Sequence, residues 1–140
     1  MSAPLDHRQF SLDLRPPAAE PAVRRGTRAD LTGHAAEDMA ARLYADQGYE
    51  VLARRHRNAA GEIDLIVRQG TSYAFVEVKC RRTHDEAVHA ITARQLNRLE
   101  AAANIYILDA QLGTACDFRF DVVCIDRSCT AHIIENAHVF

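Results

Sequence analysis

Three ionisable residues stand where buried strands should carry no charge. Asp64 interrupts the apolar run IDLIV, and Glu77 and Lys79 follow AFV in the run AFVEVKC. Side chains alternate faces along a strand, so Glu77 and Lys79 share a face with Phe75 while Val76 and Val78 point the other way. The two runs are joined by the short polar stretch QGTS, and a hairpin there brings Asp64 toward Glu77. Two carboxylates held together in apolar surroundings repel each other and lose hydration. A divalent cation removes both costs. Hard oxygen ligands suit Mg²⁺ or Mn²⁺, which take one or two carboxylates and keep positions for water and phosphate. The ammonium of Lys79 is then placed to hold a water or to stabilise charge developing on a phosphoryl group. That set of groups can hydrolyse a phosphodiester. A plainer arrangement uses the same residues: a strand-end ion pair of Lys79 with Glu77, and Asp64 accepting hydrogen bonds from a turn. One compositional fact favours the chemical reading. The chain has 16 arginines and a single lysine, and that lysine is Lys79; a guanidinium does not replace a compact ammonium.

The elements that must position these groups follow from periodicity. A helix is expected to start near Thr32 or Gly33, with Ala36, Met39, Ala40, Leu43 and Tyr44 inward and Gly48 after its end. YEVLARRHR, EIDLIVR and YAFVEVKCR read as three strands separated by NAAG and QGTS, and a polar loop follows them. A second helix starts at Thr92 and turns Leu96, Leu99, Ala103 and Tyr106 or Ile107 inward. DFRFDVVCID and AHIIENAHVF read as two more strands. The order is α-β-β-β-α-β-β. Three antiparallel neighbours and a helix crossing to a fourth strand give an α/β fold, a mixed central sheet flanked by helices. Residues 1–30 hold all four prolines and no periodic apolar face, and read as a flexible Pro/Ala/Arg-rich arm ahead of a single domain at 31–140.

Composition narrows the partners. The net charge of −2 hides a local surplus: residues 51–82 hold seven basic and three acidic residues, whereas 83–140 hold four and eight. A basic segment on a mildly acidic body fits a localised anionic partner, although a solvated charged face has the same composition. Arg54, Arg55 and Arg57 of the run RRHR, with Arg81 and Arg82, are the candidate phosphate contacts, which position a backbone without reading bases. Tyr73 is the one aromatic in this region that reads as exposed and able to stack. The four cysteines follow no disulfide or C-x-x-C spacing and read as reduced thiols of a cytoplasmic protein. A zinc site of Cys124, Cys129 and His132 has poor spacing. His84, His89, His132 and His138 are expected at the surface. No apolar run is long enough to cross a membrane, and no secretory signal is visible.

Asp64 followed thirteen residues later by Glu77-Val78-Lys79 resembles the PD-(D/E)xK nuclease pattern. Within that superfamily the chain resembles the YraN family of bacterial proteins, related to archaeal Holliday-junction resolvases. The resemblance spans about residues 33–126 and rests on GHAAEDMAA, GEIDLI, FVEVKCR, ARQLNRL and FRFDVV. It implies a restriction-endonuclease-like sheet, Asp64 and Glu77 as metal-binding carboxylates and Lys79 as the catalytic lysine. Glu37 on the first helix matches an acidic residue that joins the metal site in resolvase-like members, although first-turn dipole complementarity explains it equally well. Gln95 matches a glutamine that supports the site from the second helix, and Glu62, on the strand face of Asp64, is a further supporting residue. The function implied is Mg²⁺- or Mn²⁺-dependent endonucleolytic cleavage of structured or branched DNA, by a homodimer. The alternative is a catalytically silent nucleic-acid-binding or scaffold protein of the same fold.

Overall fold

The computed structural model describes the backbone of residues 12–13 and 28–137, with side chains from 33 onward. The elements run β1 (Leu12–Asp13), α1 (Arg28–Asp46), β2 (Glu50–Asn58), β3 (Gly61–Gln69), β4 (Ser72–Cys80), α2 (His84–His89), α3 (Ala93–Asp109), β5 (Asp117–Ile125) and β6 (Thr130–Ile134). They form one mixed sheet in the order β1-β6-β5-β4-β3-β2. The strands β2, β3 and β4 make the expected antiparallel meander, and β4 pairs with β5 in parallel. A parallel neighbour requires a crossover, which α2 and α3 supply.

Local chemistry explains most boundaries. Gln69 pairs with Ser72 around a two-residue turn whose first member, Gly70, has φ 63°, the conformation tight hairpin turns need. At the other hairpin Asn58 accepts from the Ala60 N–H and donates to the Ala102 carbonyl, so the β2–β3 turn is tied to α3. Thr92 opens α3 with a capping box: its hydroxyl accepts from Gln95 N–H, and the Gln95 carbonyl accepts from Thr92 N–H.

The sheet separates two cores. On one face α1 lays Ala36, Met39, Ala40, Leu43 and Tyr44 against Leu65, Val67, Ala74, Val76, Val123 and Ile125. On the other, Leu99, Ala102 and Ala103 of α3 meet Ile63, Ile66, Phe75 and Phe120. Side chains such as Leu43 and Phe75 are fully buried, each worth about 1.5–3 kcal/mol of transfer free energy. Among the described residues the one charged group with no exposure, Asp121, is fully engaged. It accepts from Tyr44 Oη at 2.7 Å, from Arg119 at 2.9 and 3.0 Å, and from the Asn136 N–H at 3.0 Å. Burial, and the Asp121 carboxylate next to it, push the Tyr44 phenol well above its ordinary value.

The structure departs from the sequence expectations in four places. First, α1 begins at Arg28, so Thr32 and Gly33 lie inside it and not at its start. Leu12 and Asp13, in the proline-rich arm, pair with Ala131 and Thr130 of β6; the rest of the arm before residue 28 lies outside the described residues. Second, the expected polar loop contains α2, capped by Thr83, whose hydroxyl accepts from Glu86 N–H. Third, the last strand stops at Ile134, and Ala137 N–H then turns back to the Phe120 carbonyl. Fourth, Tyr73 is buried against Phe118, ring centres 5.8 Å apart, and is not a stacking surface.

Candidate functional site

The site lies where β3 and β4 part. Their ladder runs from Gln69–Ser72 to Leu65–Val76 and stops one step short of Asp64 and Glu77. Beyond that point β3 stays paired with β2 through Ile63 and Glu62, and β4 stays paired with β5 through Glu77, Lys79 and Cys80. The fork is bridged by a side chain: Asp64 Oδ2 accepts the Val78 N–H at 2.8 Å. The same place carries a kink. Pairing passes from Arg54–Leu65 to His56–Ile63 and skips Arg55 and Asp64, and Arg55 has φ 50°. Ile63 and Leu65, two apart, consequently join the cores on opposite faces. A left-handed conformation costs a non-glycine residue about 1–2 kcal/mol. Arg55 recovers contacts by reaching α1, where its Nε donates to Glu37 at 2.7 Å. The neighbouring acid raises the guanidinium pKa through that hydrogen bond.

Glu77 and Lys79 lie on the α3 side with Phe75, as alternation requires. Lys79 Nζ is 3.2 Å from Glu77 Oε2, and the lysine is only 7% exposed. Among the described residues no cation forms an ion pair with Asp64, although its charge is felt at Arg55. Burial first, and then the charge of Glu77, push its carboxyl from 3.8 up to about 7, with smaller contributions from Glu37 and Glu62, against the opposing hydrogen bond from Val78. A cleft of about 330 Å³ opens over this pair, lined by Arg57, Gly61, Glu62, Asp64, Glu77, Gln95, Arg98 and Leu99.

The structure therefore gathers Asp64, Glu77, Glu62, Gln95 and Arg57 into one cleft. Lys79 reaches the cleft through Glu77. Glu37 does not line it and is held by Arg55, although its charge is felt at Asp64. Among the described residues no three carboxylate, imidazole or thiol side chains converge on one ion. Two carboxylates are still a fit for Mg²⁺ or Mn²⁺, which keep several waters when bound by protein. Burial and the charge of Glu77 lift Asp64, and a cation bound there would offset both. The plainer arrangement is present alongside: the Lys79–Glu77 ion pair exists, and the hydrogen bond to Asp64 comes from β4, not from a turn.

The candidate phosphate contacts divide. Arg54 is bonded to Asp38, Arg55 to Glu37, and Arg57 stands 3.7 Å from Glu62. The Arg54 and Arg57 pairs are exposed and weak enough to yield to a ligand, whereas the Glu37 side of the Arg55 pair is largely buried. Arg81 and Arg82 lie outside the cleft. They rim a separate apolar pocket of about 560 Å³ beside Met39, Cys80, Ile125 and Cys129, with Arg82 bonded to Glu86 at 2.9 Å. Three residues of the cleft were not among the sequence candidates: Gly61, Arg98 and Leu99, the last read only as an inward residue of the second helix. The available signal was spacing: Arg98 lies three residues after Gln95, on the same helical face.

Zinc ligation by Cys124, Cys129 and His132 is not supported, because Cys124 packs under α2 and Cys129 against the α1-side core. His84 and His132, expected at the surface, are half-buried. Their rings lie 4.5 Å apart, each Nδ1 is buried without a partner among the described residues, and burial lowers the His132 pKa. His89 is exposed and His138 lies outside the described residues. No helix among the described residues is long and apolar enough to cross a membrane.

Comparison with known proteins places the chain in a family. The model of the uncharacterised protein family UPF0102 matches residues 36–125, which run from within α1 to the end of β5 and include every residue of the cleft. A UPF0102 protein of Ruegeria pomeroyi is 43% identical over 113 residues, covering 81% of this chain and 92% of its own. One of Azorhizobium caulinodans is 39% identical over 122 residues, covering 87% and 93%. Another, of Methylorubrum extorquens, is 44% identical over 110 residues, covering 79% and 84%. The chain belongs to the UPF0102 family, the YraN family that its motifs resemble.

Proposed function

We propose that the chain is a metal-dependent phosphodiesterase that cuts structured or branched DNA. The observation that carries this reading is the convergence of Asp64 and Glu77 at the fork between β3 and β4, inside a cleft and beside the chain's single lysine. A Mg²⁺ or Mn²⁺ ion held by these two carboxylates would polarise a phosphoryl oxygen and acidify a bound water. The chain's own groups do the rest. Val78 N–H occupies Oδ2 of Asp64 and leaves Oδ1 for a ligand. Glu77 fixes the ammonium of Lys79, which donates to charge developing on the phosphoryl oxygens. Gln95, its carbonyl committed to the α3 cap, and Glu62, paired with Arg57, hold the walls. A two-fold dimer, which would present two such clefts to two strands, is part of the proposal.

The test is cleavage of linear duplex, single strand, flap and four-way junction in Mg²⁺, Mn²⁺ or EDTA, beside Lys79→Ala and Asp64→Asn. Metal-dependent cutting that both substitutions abolish is expected. Cutting in EDTA, or cutting by Asp64→Asn at the wild-type rate, refutes the mechanism. Binding without cutting identifies the silent nucleic-acid-binding scaffold instead.

A further inference from the structure

Arg98 projects from α3 into the cleft, and its role rests on how it is seated. Its stem lies over Gly61 so closely that a Cβ there would stand 3.1 Å from Cδ and 3.2 Å from Cγ. Gly61 also has φ 148°, a conformation that suits glycine. The hairpin residue beneath the arginine is thus reduced, at this point, to bare backbone. Of the two guanidiniums lining the cleft, that of Arg57 faces Glu62, whereas that of Arg98 has no ionic or hydrogen-bonding partner among the described residues. An arginine without a partner beside Asp64, Glu77 and Glu62 is well placed for a ligand that carries its own negative charge.

Charge and lining define that ligand. Glu62, Asp64 and Glu77 balance Lys79, Arg57 and Arg98, so the site is electrically even, and a divalent cation makes it +2. Such a site admits the single negative charge of a phosphodiester. The guanidinium fork matches two non-bridging phosphate oxygens. Among the described residues no aromatic side chain lines the cleft, and Leu99 is its one large apolar wall, so there is no surface on which a base can stack. Resting on the nuclease reading of the same cleft, we propose that Arg98 grips a non-bridging oxygen of the nucleic-acid backbone, and that this cleft binds the phosphodiester without reading the base.

The test is anisotropy binding of a labelled duplex, and of an abasic deoxyribose-phosphate oligomer of equal length, over a range of KCl concentrations. Each is run in EDTA and in Ca²⁺, with Arg98→Met and Arg98→Lys. Methionine keeps an unbranched stem over Gly61 and removes the charge, so unfolding midpoints should stay unchanged. Arg98→Met is expected to weaken binding about tenfold and to reduce the salt slope by about one. The loss should be the same on the abasic probe, and lysine should restore part of it. Unchanged affinity and slope in Arg98→Met overturn the inference, even where the wild type and the variant both cut DNA. A loss confined to the probe with bases overturns the backbone assignment. The expected Arg98 dependence in a protein that cuts nothing upholds the phosphate grip and sinks the nuclease reading. Failure of the wild type to bind either probe removes both.

Discussion

Replacing Asp64 with asparagine should stabilise the metal-free protein, and by an amount that depends on pH. In the folded chain the carboxyl titrates at about 7, against an ordinary value of 3.8. A raised acid pKa means that the native state binds its proton more tightly than the unfolded state. Below 3.8 both states are protonated and nothing is lost. Between 3.8 and about 7 stability falls as pH rises, because the unfolded chain ionises freely while the native one must hold its proton. Above about 7 the full cost is present, up to about 4 kcal/mol at 1.36 kcal/mol per pH unit. Asparagine is isosteric, and its carbonyl can accept the Val78 N–H in place of Oδ2. At pH 8 the variant should exceed the wild type by as much as ~4 kcal/mol, and at pH 5 by only about 1.6 kcal/mol. Denaturant midpoints for both proteins at the two pH values, in EDTA, measure the difference directly. Mg²⁺ should then raise the wild-type midpoint at pH 8 and leave that of Asp64→Asn unchanged, because the cation relieves the repulsion that the substitution has already removed. A variant less stable than wild type at pH 8, or a gap that does not shrink toward pH 5, refutes the reasoning.

Other consequences can be read in the same way. Tyr44→Phe removes one of the donors to the buried Asp121 and should cost about 1.5–3 kcal/mol in chemical denaturation; a cost near zero would mean that water replaces the phenol. Arg55→Ala and Arg55→Gly both lose the ion pair to Glu37, but glycine accepts φ 50°, so the glycine variant should be about 1 kcal/mol the more stable of the two. Equal midpoints would show that the backbone kink relaxes. Thr92→Ala breaks the capping box and should cost about 1 kcal/mol. It also frees the Gln95 side chain inside the cleft, so hydrogen exchange should quicken in the first turn of α3 and not in α1.

Much of this protein is legible in its sequence because the controlling interactions are local or periodic. Two apolar runs, IDLIV and AFVEV, with the short polar stretch QGTS between them, are enough to bring Asp64 and Glu77 to one hairpin, although alternation along the first breaks at Asp64. The 3.6-residue spacing of Ala36, Met39, Ala40, Leu43 and Tyr44 is enough to define the buried stripe of α1. What the sequence could not supply are outcomes settled by non-local competition. Whether Tyr73 is exposed depends on Phe118, forty-five residues away, and whether His84 is solvated depends on the ring of His132. The arginines of RRHR look alike in the chain, yet α1 claims two of them through Asp38 and Glu37. The separation of β3 from β4 at Asp64 is settled by strand pairing, and the seating of Arg98 on Gly61 exists only once α3 has packed across the sheet. Residue type and spacing determined which groups carry the chemistry. Tertiary packing decided which of them are held, which are free, and where the cleft between them opens, because burial and pairing are properties of neighbours that the chain brings together only on folding.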